Sequence, residues 1–546
     1  MASTHQSQQA TVAKHVGKTN RASSAYPRKR AVVACQTGAQ CISTPADFSA
    51  FDSASLAIIE RLERLEQKLD SSVVQQALSP PLVVDTHELN AANDLVVEEE
   101  SIGSSTGSCL ALLPQNLDHV LAWPVFNDAI SGVTLMPGSA SSTRDRSGHV
   151  FDELDAATCN AWLDSFFSGV HIKNPILDES STRRLVLRVC LDGVGWDAES
   201  CLALLICANG SLNRTFTSPS YQQSELAGST PMALFTAAQK RMGSLLTSTG
   251  VAHAQTFFLS GVFLMSILRP SDAWRMFVQS LAACQTLDWS EGGTDDSGTT
   301  AEESLYWSCW KSEQEVRWEL GISRFGRIEP PLQFPSLPAG CEGQNLRAWY
   351  FYLSEISLWR LETDARQEMM SLMESGRACR FDKLSEIGEN ALRQLGYWQE
   401  SLAAPVRLSD DASEPDVLRF VLRGRITYLK ELISWPFIHA FLMRNNESPI
   451  VRQWVLKGLA FHLERIEINK SGFYHRHHGT WLMARSSARS ACILLAFANA
   501  PSASELMPEA WRPGVVSVLD MLCHWQNEAG GFERAILVLQ QLLNST

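Results

Sequence analysis

Residues 251–289 read VAHAQTFFLSGVFLMSILRPSDAWRMFVQSLAACQTLDW, and the spacing of apolar residues along them decides the fold class. Apolar positions recur three and four apart, the period of one helix face. The longest apolar run, Phe257 to Leu268, is broken by Ser260 and Gly261 and is too short to span a bilayer. Pro270 ends one helix, Ser271 or Asp272 offers an N-cap, and Trp274 opens the next apolar stripe, so RPSDAW predicts a tight corner between two helices.

The same period extends in both directions. It recurs over Leu202–Leu212 and Leu234–Leu246 on one side. On the other it covers Ser304–Leu320, Leu346–Met373, Phe381–Ala403, Pro415–Met443, Ile450–Asn469, Trp481–Ala498 and Phe532–Leu543. No set of alternating strands competes with it. The expectation is an all-α domain over residues 151–545 with a dozen or so helices.

The 546 residues, 45% apolar and 19% charged, suffice for a large core. Thirteen cysteines stand singly in apolar segments, which suits reduced thiols of a nuclear or cytosolic protein better than a disulfide framework. Neither a membrane span nor a secretory signal is expected. Charge is distributed unevenly. Residues 1–46 hold six Lys or Arg and no acid, so the net charge of −13 leaves −19 on the other 500 residues. A body that acidic repels phosphates, and any DNA contact falls to the front of the chain. An acid-free front is also compatible with a mitochondrial presequence, although residues 1–30 lack an apolar stripe.

Ahead of the helical domain the chain divides by composition. Residues 1–30 are polar and patternless and are expected to be disordered. They end in the basic run Arg28-Lys29-Arg30, readable as a nuclear import signal, as phosphate contacts or as a solvated tail. Residues 31–43 contain Cys35 and Cys41, and 44–55 form a short linker. Over 56–76, Ile58, Leu62, Leu65 and Leu69 alternate at spacings of four, three and four as heptad core positions, with Arg61 at g and Glu66 at e. This predicts a short parallel coiled-coil dimer; the alternative is a surface helix packed on its own domain. Residues 77–150, rich in Pro, Ser and Gly, read as a long disordered linker.

These parts, in this order, resemble the fungal Zn2Cys6 transcription factors, whose cluster has the pattern C-x2-C-x6-C, a loop, then a second such triplet. Ala34-Cys35-Gln36-Thr37 is similar to the opening of that cluster and Gly38-Ala39-Gln40-Cys41 to its close. About twenty residues and four zinc ligands of the pattern are missing between them, and two thiolates cannot complete tetrahedral zinc sites. The helical body resembles the family's regulatory domain. Trp162-Leu163-Asp164-Ser165-Phe166-Phe167, Val170-His171 and Pro175-Ile176-Leu177-Asp178 are similar to its opening motif, residues 201–210 to its next buried helix, and residues 234–289 to the succession after it. Ser304 to Trp310, then Gly321 and the prolines from Pro330 to Pro338, complete the likeness, which is good over 155–340 and loose beyond. The resemblance implies a nuclear regulator of RNA polymerase II transcription, homodimeric or paired with a related factor, in contact with the transcription machinery. In the intact family, zinc holds a helix in the DNA major groove; here Cys35 and Cys41 are orphaned, no cofactor is expected, and specific DNA binding by this chain alone is expected to be weak or absent. A DNA-independent helical scaffold or small-molecule sensor is the competing reading.

Nothing in the sequence specifies catalysis, and no catalytic residue is assigned. Gly193-Val194-Gly195-Trp196-Asp197-Ala198 fits G-x-G-x-x-A, but no acid lies between Glu199 and Glu225 to hold a ribose. The run also reads as helix, turn and helix, with Asp197 near an N-cap. His475-Arg476-His477-His478 is the one histidine cluster; its spacing diverges on a helix, which favours a loop before the helix from Trp481 over a metal site. Trp307 and Trp310 are expected in the core.

Overall fold

The computed structural model describes residues 112–127, 154–214, 226, 228–247, 249–287, 296–323, 335, 337–338, 341–374, 380–409, 416–500 and 502–545. All lie within one compact unit, 93–546. Arg28, Lys29, Arg30, Cys35, Cys41 and the heptad residues Ile58, Arg61, Leu62, Leu65, Glu66 and Leu69 fall outside the described residues.

The described residues form fifteen α-helices and no strand, as the periodicity predicts. In chain order they are α1 Leu117–Leu121, α2 Ala156–Ser165, α3 Glu179–Asp192, α4 Ala198–Leu212, α5 Thr230–Leu245, α6 Val251–Ser266, α7 Pro270–Gln285 and α8 Asp296–Leu320. They continue as α9 Gly343–Glu374, α10 Phe381–Ser401, α11 Val417–Arg444, α12 Pro449–Asn469, α13 Thr480–Ala498, α14 Trp511–His524 and α15 Glu533–Ser545. None is long and apolar enough to cross a membrane.

Local chemistry sets the boundaries. Asp155, Asp178, Asp197 and Asp416 each cap a helix by accepting from a backbone N–H of its first turn. Gly193 closes α3 at φ 85°, where a side chain would be strained. The G-x-G-x-x-A stretch is therefore the turn from α3 into α4 and not a phosphate loop. At the RPSDAW corner the N-cap is Arg269, one residue before Pro270, instead of Ser271 or Asp272. Proline suits the first helical position because its missing N–H has no intrahelical partner there, and Asp272 instead pairs with Arg269 and Arg275.

Neighbours in sequence pack on each other: α6 on α7, α11 on α12, α4 on α5, α7 on α8. Helix α13 touches α1, α6, α12, α14 and α15 and covers nearly every side chain it carries. Close approach elsewhere needs small residues. A Cβ on Gly210 of α4 would lie 2.1 Å from the carbonyl oxygen of Trp162 in α2.

One segment departs from the expected organisation. Residues 112–127, read as part of the linker over 77–150, pack on the body. Leu117, Val120, Leu121, Trp123 and Phe126 are all buried, and α1 lies against α13. Trp123 meets Trp435 of α11 with ring centroids 5.8 Å apart.

Candidate functional site

A cavity of about 390 Å³ opens where α8, α9, α11, α12 and α13 converge on two turns, His171–Lys173 after α2 and His477–Gly479 before α13. That volume is in the range of a metabolite pocket. Its apolar walls include Trp310, Trp318, Trp359, Phe351 and Phe420. Trp310 meets Trp359 edge to face, centroids 4.7 Å apart, and Trp307 buttresses both. Trp307 and Trp310 are core residues, as expected, and Trp310 also faces the cavity.

Charged side chains ring the aromatic floor, and almost all are paired. Lys311 of α8 lies 2.5 Å from Glu355 of α9. Arg425 of α11 contacts Glu315 and reaches Glu355 at 3.2 Å, and Arg366 holds Glu362 at 2.8 Å. Behind the wall Glu431, 1% exposed, takes Arg465 at 2.7 Å and Arg489 at 3.3 Å. Burial alone would raise the pKa of Glu431; the cations, Arg465 foremost, outweigh it and hold the carboxyl down at about 2. Arg489 continues to Glu319, which also holds Arg485 at 2.5 Å.

Lys173 is the exception. It is 5% exposed, it lines the cavity, and among the described residues no carboxylate lies within ion-pair distance of it. Burial lowers its pKa to about 8, against the attraction of the more distant Glu355.

The histidine cluster lies beside this lysine. His477 accepts from the backbone N–H of Gly479 at Nδ1, 3.0 Å; a neutral imidazole then carries its proton on Nε2. That Nε2–H is buried and has no protein partner. Burial and the neighbouring Lys173 push the pKa of His477 well below its ordinary value and bring that of His475 to about 4. The rings of His475 and His477 stack, centroids 5.4 Å apart, instead of converging on a common point. The cluster is a turn before α13, as its spacing suggests, and His477 is hydrogen-bonded within it.

Three further buried polar atoms on the cavity wall lack a hydrogen-bond partner among the described residues, Arg317 Nε, Arg465 Nη2 and Asn174 Oδ1. Sequence reasoning singled out the histidines and Trp310 but none of Lys173, Asn174 or Arg465. For Lys173 a signal existed, a lysine directly after the Val170-His171-Ile172 stretch.

Chemically the arrangement is one for holding a ligand. The described residues that line it offer immobile donors and aromatic surface. Comparison with family models, curated proteins and solved structures gives no match.

Proposed function

We propose that the chain is a transcription regulator of the fungal Zn2Cys6 type, impaired in its own DNA reading, whose all-α body receives a small molecule. The observation that carries the receiving role is the cavity: metabolite-sized, aromatic-walled, and bordered by buried donors that no protein group satisfies. The regulatory role rests on the order basic run, cysteine remnant, heptads, apolar helical periodicity, and on the sequence resemblance over 155–340. Dimerisation is assigned to Ile58, Leu62, Leu65 and Leu69 with Arg61 and Glu66, and nuclear import to Arg28-Lys29-Arg30.

The test is made on the full chain. Nuclear accumulation that is lost when Arg28, Lys29 and Arg30 become alanine, with little zinc bound and no specific DNA retardation, supports the reading. Zinc near two per chain with specific retardation overturns the impaired-reader part. A location indifferent to the basic run favours the second reading, a DNA-independent sensor, for which the same cavity speaks.

A further inference from the structure

We propose that the cavity at the α8–α9–α11–α12–α13 junction binds an aromatic carboxylate, a monoanion whose carboxylate meets Lys173 and His477 while its flat body lies on the tryptophan wall. The proposal rests on the reading of this cavity as a small-molecule site and names the class of molecule.

Charge sets the class. The arginines and Lys311 around the cavity already have carboxylates: Arg366 has Glu362, Arg425 has Glu315 and Glu355, Arg465 has Glu431, Arg489 has Glu319 and Glu431, and Lys311 has Glu355. Among the described residues that line the cavity, one cation, Lys173, is left without a counter-charge at ion-pair distance. A buried charge is tolerated at low cost only when paired, and a single negative charge completes this one. A phosphate dianion would bring a second charge with no free cation to meet it.

Hydrogen-bonding capacity points the same way. The buried cavity-wall atoms without hydrogen-bond partners among the described residues are mainly donors, His477 Nε2–H, Arg465 Nη2 and Arg317 Nε, beside the Lys173 ammonium that no ion pair engages, against the single acceptor Asn174 Oδ1. A carboxylate is acceptor-only and suits donors in that excess. His477 cannot turn its acceptor nitrogen inward, because Nδ1 is engaged by Gly479. Trp310, Trp359 and Phe420 supply broad apolar faces for a ring system. Asn174 Oδ1 remains to accept from a hydroxyl or N–H on the ligand.

The experiment uses the full chain with 8-anilinonaphthalene-1-sulfonate as reporter and a matched pair of competitors, 2-naphthoate and 2-naphthamide, which differ in charge at one group. The expected result is one high-affinity reporter site per chain, displaced by the naphthoate at least tenfold more effectively than by the amide. Lys173→Met should remove that preference and Lys173→Arg should retain most of it. Gly424→Leu should abolish reporter binding, since a Cβ on Gly424 meets only Arg465 Nη1, at 3.6 Å, and a longer side chain enters the cavity. Equal displacement by both competitors, unchanged in Lys173→Met, overturns the carboxylate assignment and leaves the site standing. Reporter binding that is absent, or indifferent to Gly424→Leu, overturns the site itself.

Discussion

The guanidinium of Arg485 donates to the carboxylate of Asp118 at 2.7 Å, joining residues 367 positions apart in sequence. The contact ties α1, in a segment whose composition reads as linker, to the helix at the centre of the body. Its two ends differ in setting: the Arg485 side chain is 4% exposed and also serves Glu319, whereas that of Asp118 is 59% exposed.

That asymmetry predicts unequal effects of substitution. Asp118→Asn should change stability by less than about 1 kcal/mol, because an exposed carboxylate stays hydrated when its partner is lost. Arg485→Met should cost about 3–5 kcal/mol, since it leaves the buried Glu319 with Arg489 as its one remaining cation among the described residues. Phe126→Ala, which empties a fully buried site, should cost about 3–5 kcal/mol. Denaturant unfolding measures all three, and equal losses at Asp118 and Arg485 would place the strength of the contact at its exposed end.

The helices were legible because each buries one face over several turns, and Asp197 and Gly193 announced their cap and stop. The segment containing α1 was not, because five residues show too little of a 3.6-residue period and Pro114 and Pro124 imitate a linker. What holds it, Glu319 and Arg485, lies hundreds of positions away. The cavity was less legible still. Its residues are scattered over seven helices and the turns between them, and each is ordinary alone; Lys173 becomes informative only when every neighbouring cation is seen to have a carboxylate.

Gly210 and Gly424 should respond to alanine in opposite directions. At Gly210 the new Cβ collides with backbone, the Trp162 carbonyl, which cannot swing aside; the loss should be about 1–3 kcal/mol. At Gly424, inside α11, the space is open, and alanine should stabilise by about 0.5–1 kcal/mol through its better helix propensity. Thermal unfolding of the two variants decides, and destabilisation of Gly424→Ala would mean that the cavity wall is tighter than its geometry indicates.

Acid should unfold the protein at an unusually high pH. Burial lowers His171, His439, His462 and His475 to about 4 and His477 and His478 further still. The unfolded chain, titrating near 6.5, then binds more protons than the native one, so stability is full above pH 6.5 and falls as pH drops toward 4. Each such histidine is worth up to about 3 kcal/mol by pH 4, and together they exceed the roughly 5–15 kcal/mol of a typical domain. The midpoint of acid unfolding followed by circular dichroism should therefore lie above pH 4. Glu431 acts lower, its contribution being lost between 4.5 and about 2; Glu431→Gln should reduce stability at pH 7 and, because Glu431 favours the protonated form of His462, leave His462 still harder to protonate.

Lys173→Met should make the ligand-free protein more stable while depriving the cavity of its unpaired charge. The folded-state pKa of about 8 lies below the ordinary 10.5, so between those values the unfolded chain binds the extra proton. Wild-type stability then gains up to about 3 kcal/mol from this residue as pH rises from 8 to 10.5, and the contribution is flat below 8. The variant lacks that rise and should exceed wild type at pH 7 by a similar amount. A carboxylate bound beside the ammonium favours its charged form, so 2-naphthoate should bind wild type evenly below pH 8 and lose about tenfold per unit above it. Stability curves of the two proteins between pH 7 and 10.5, measured with and without the naphthoate, test both halves. A variant less stable than wild type at pH 7 would show that Lys173 is satisfied within the fold.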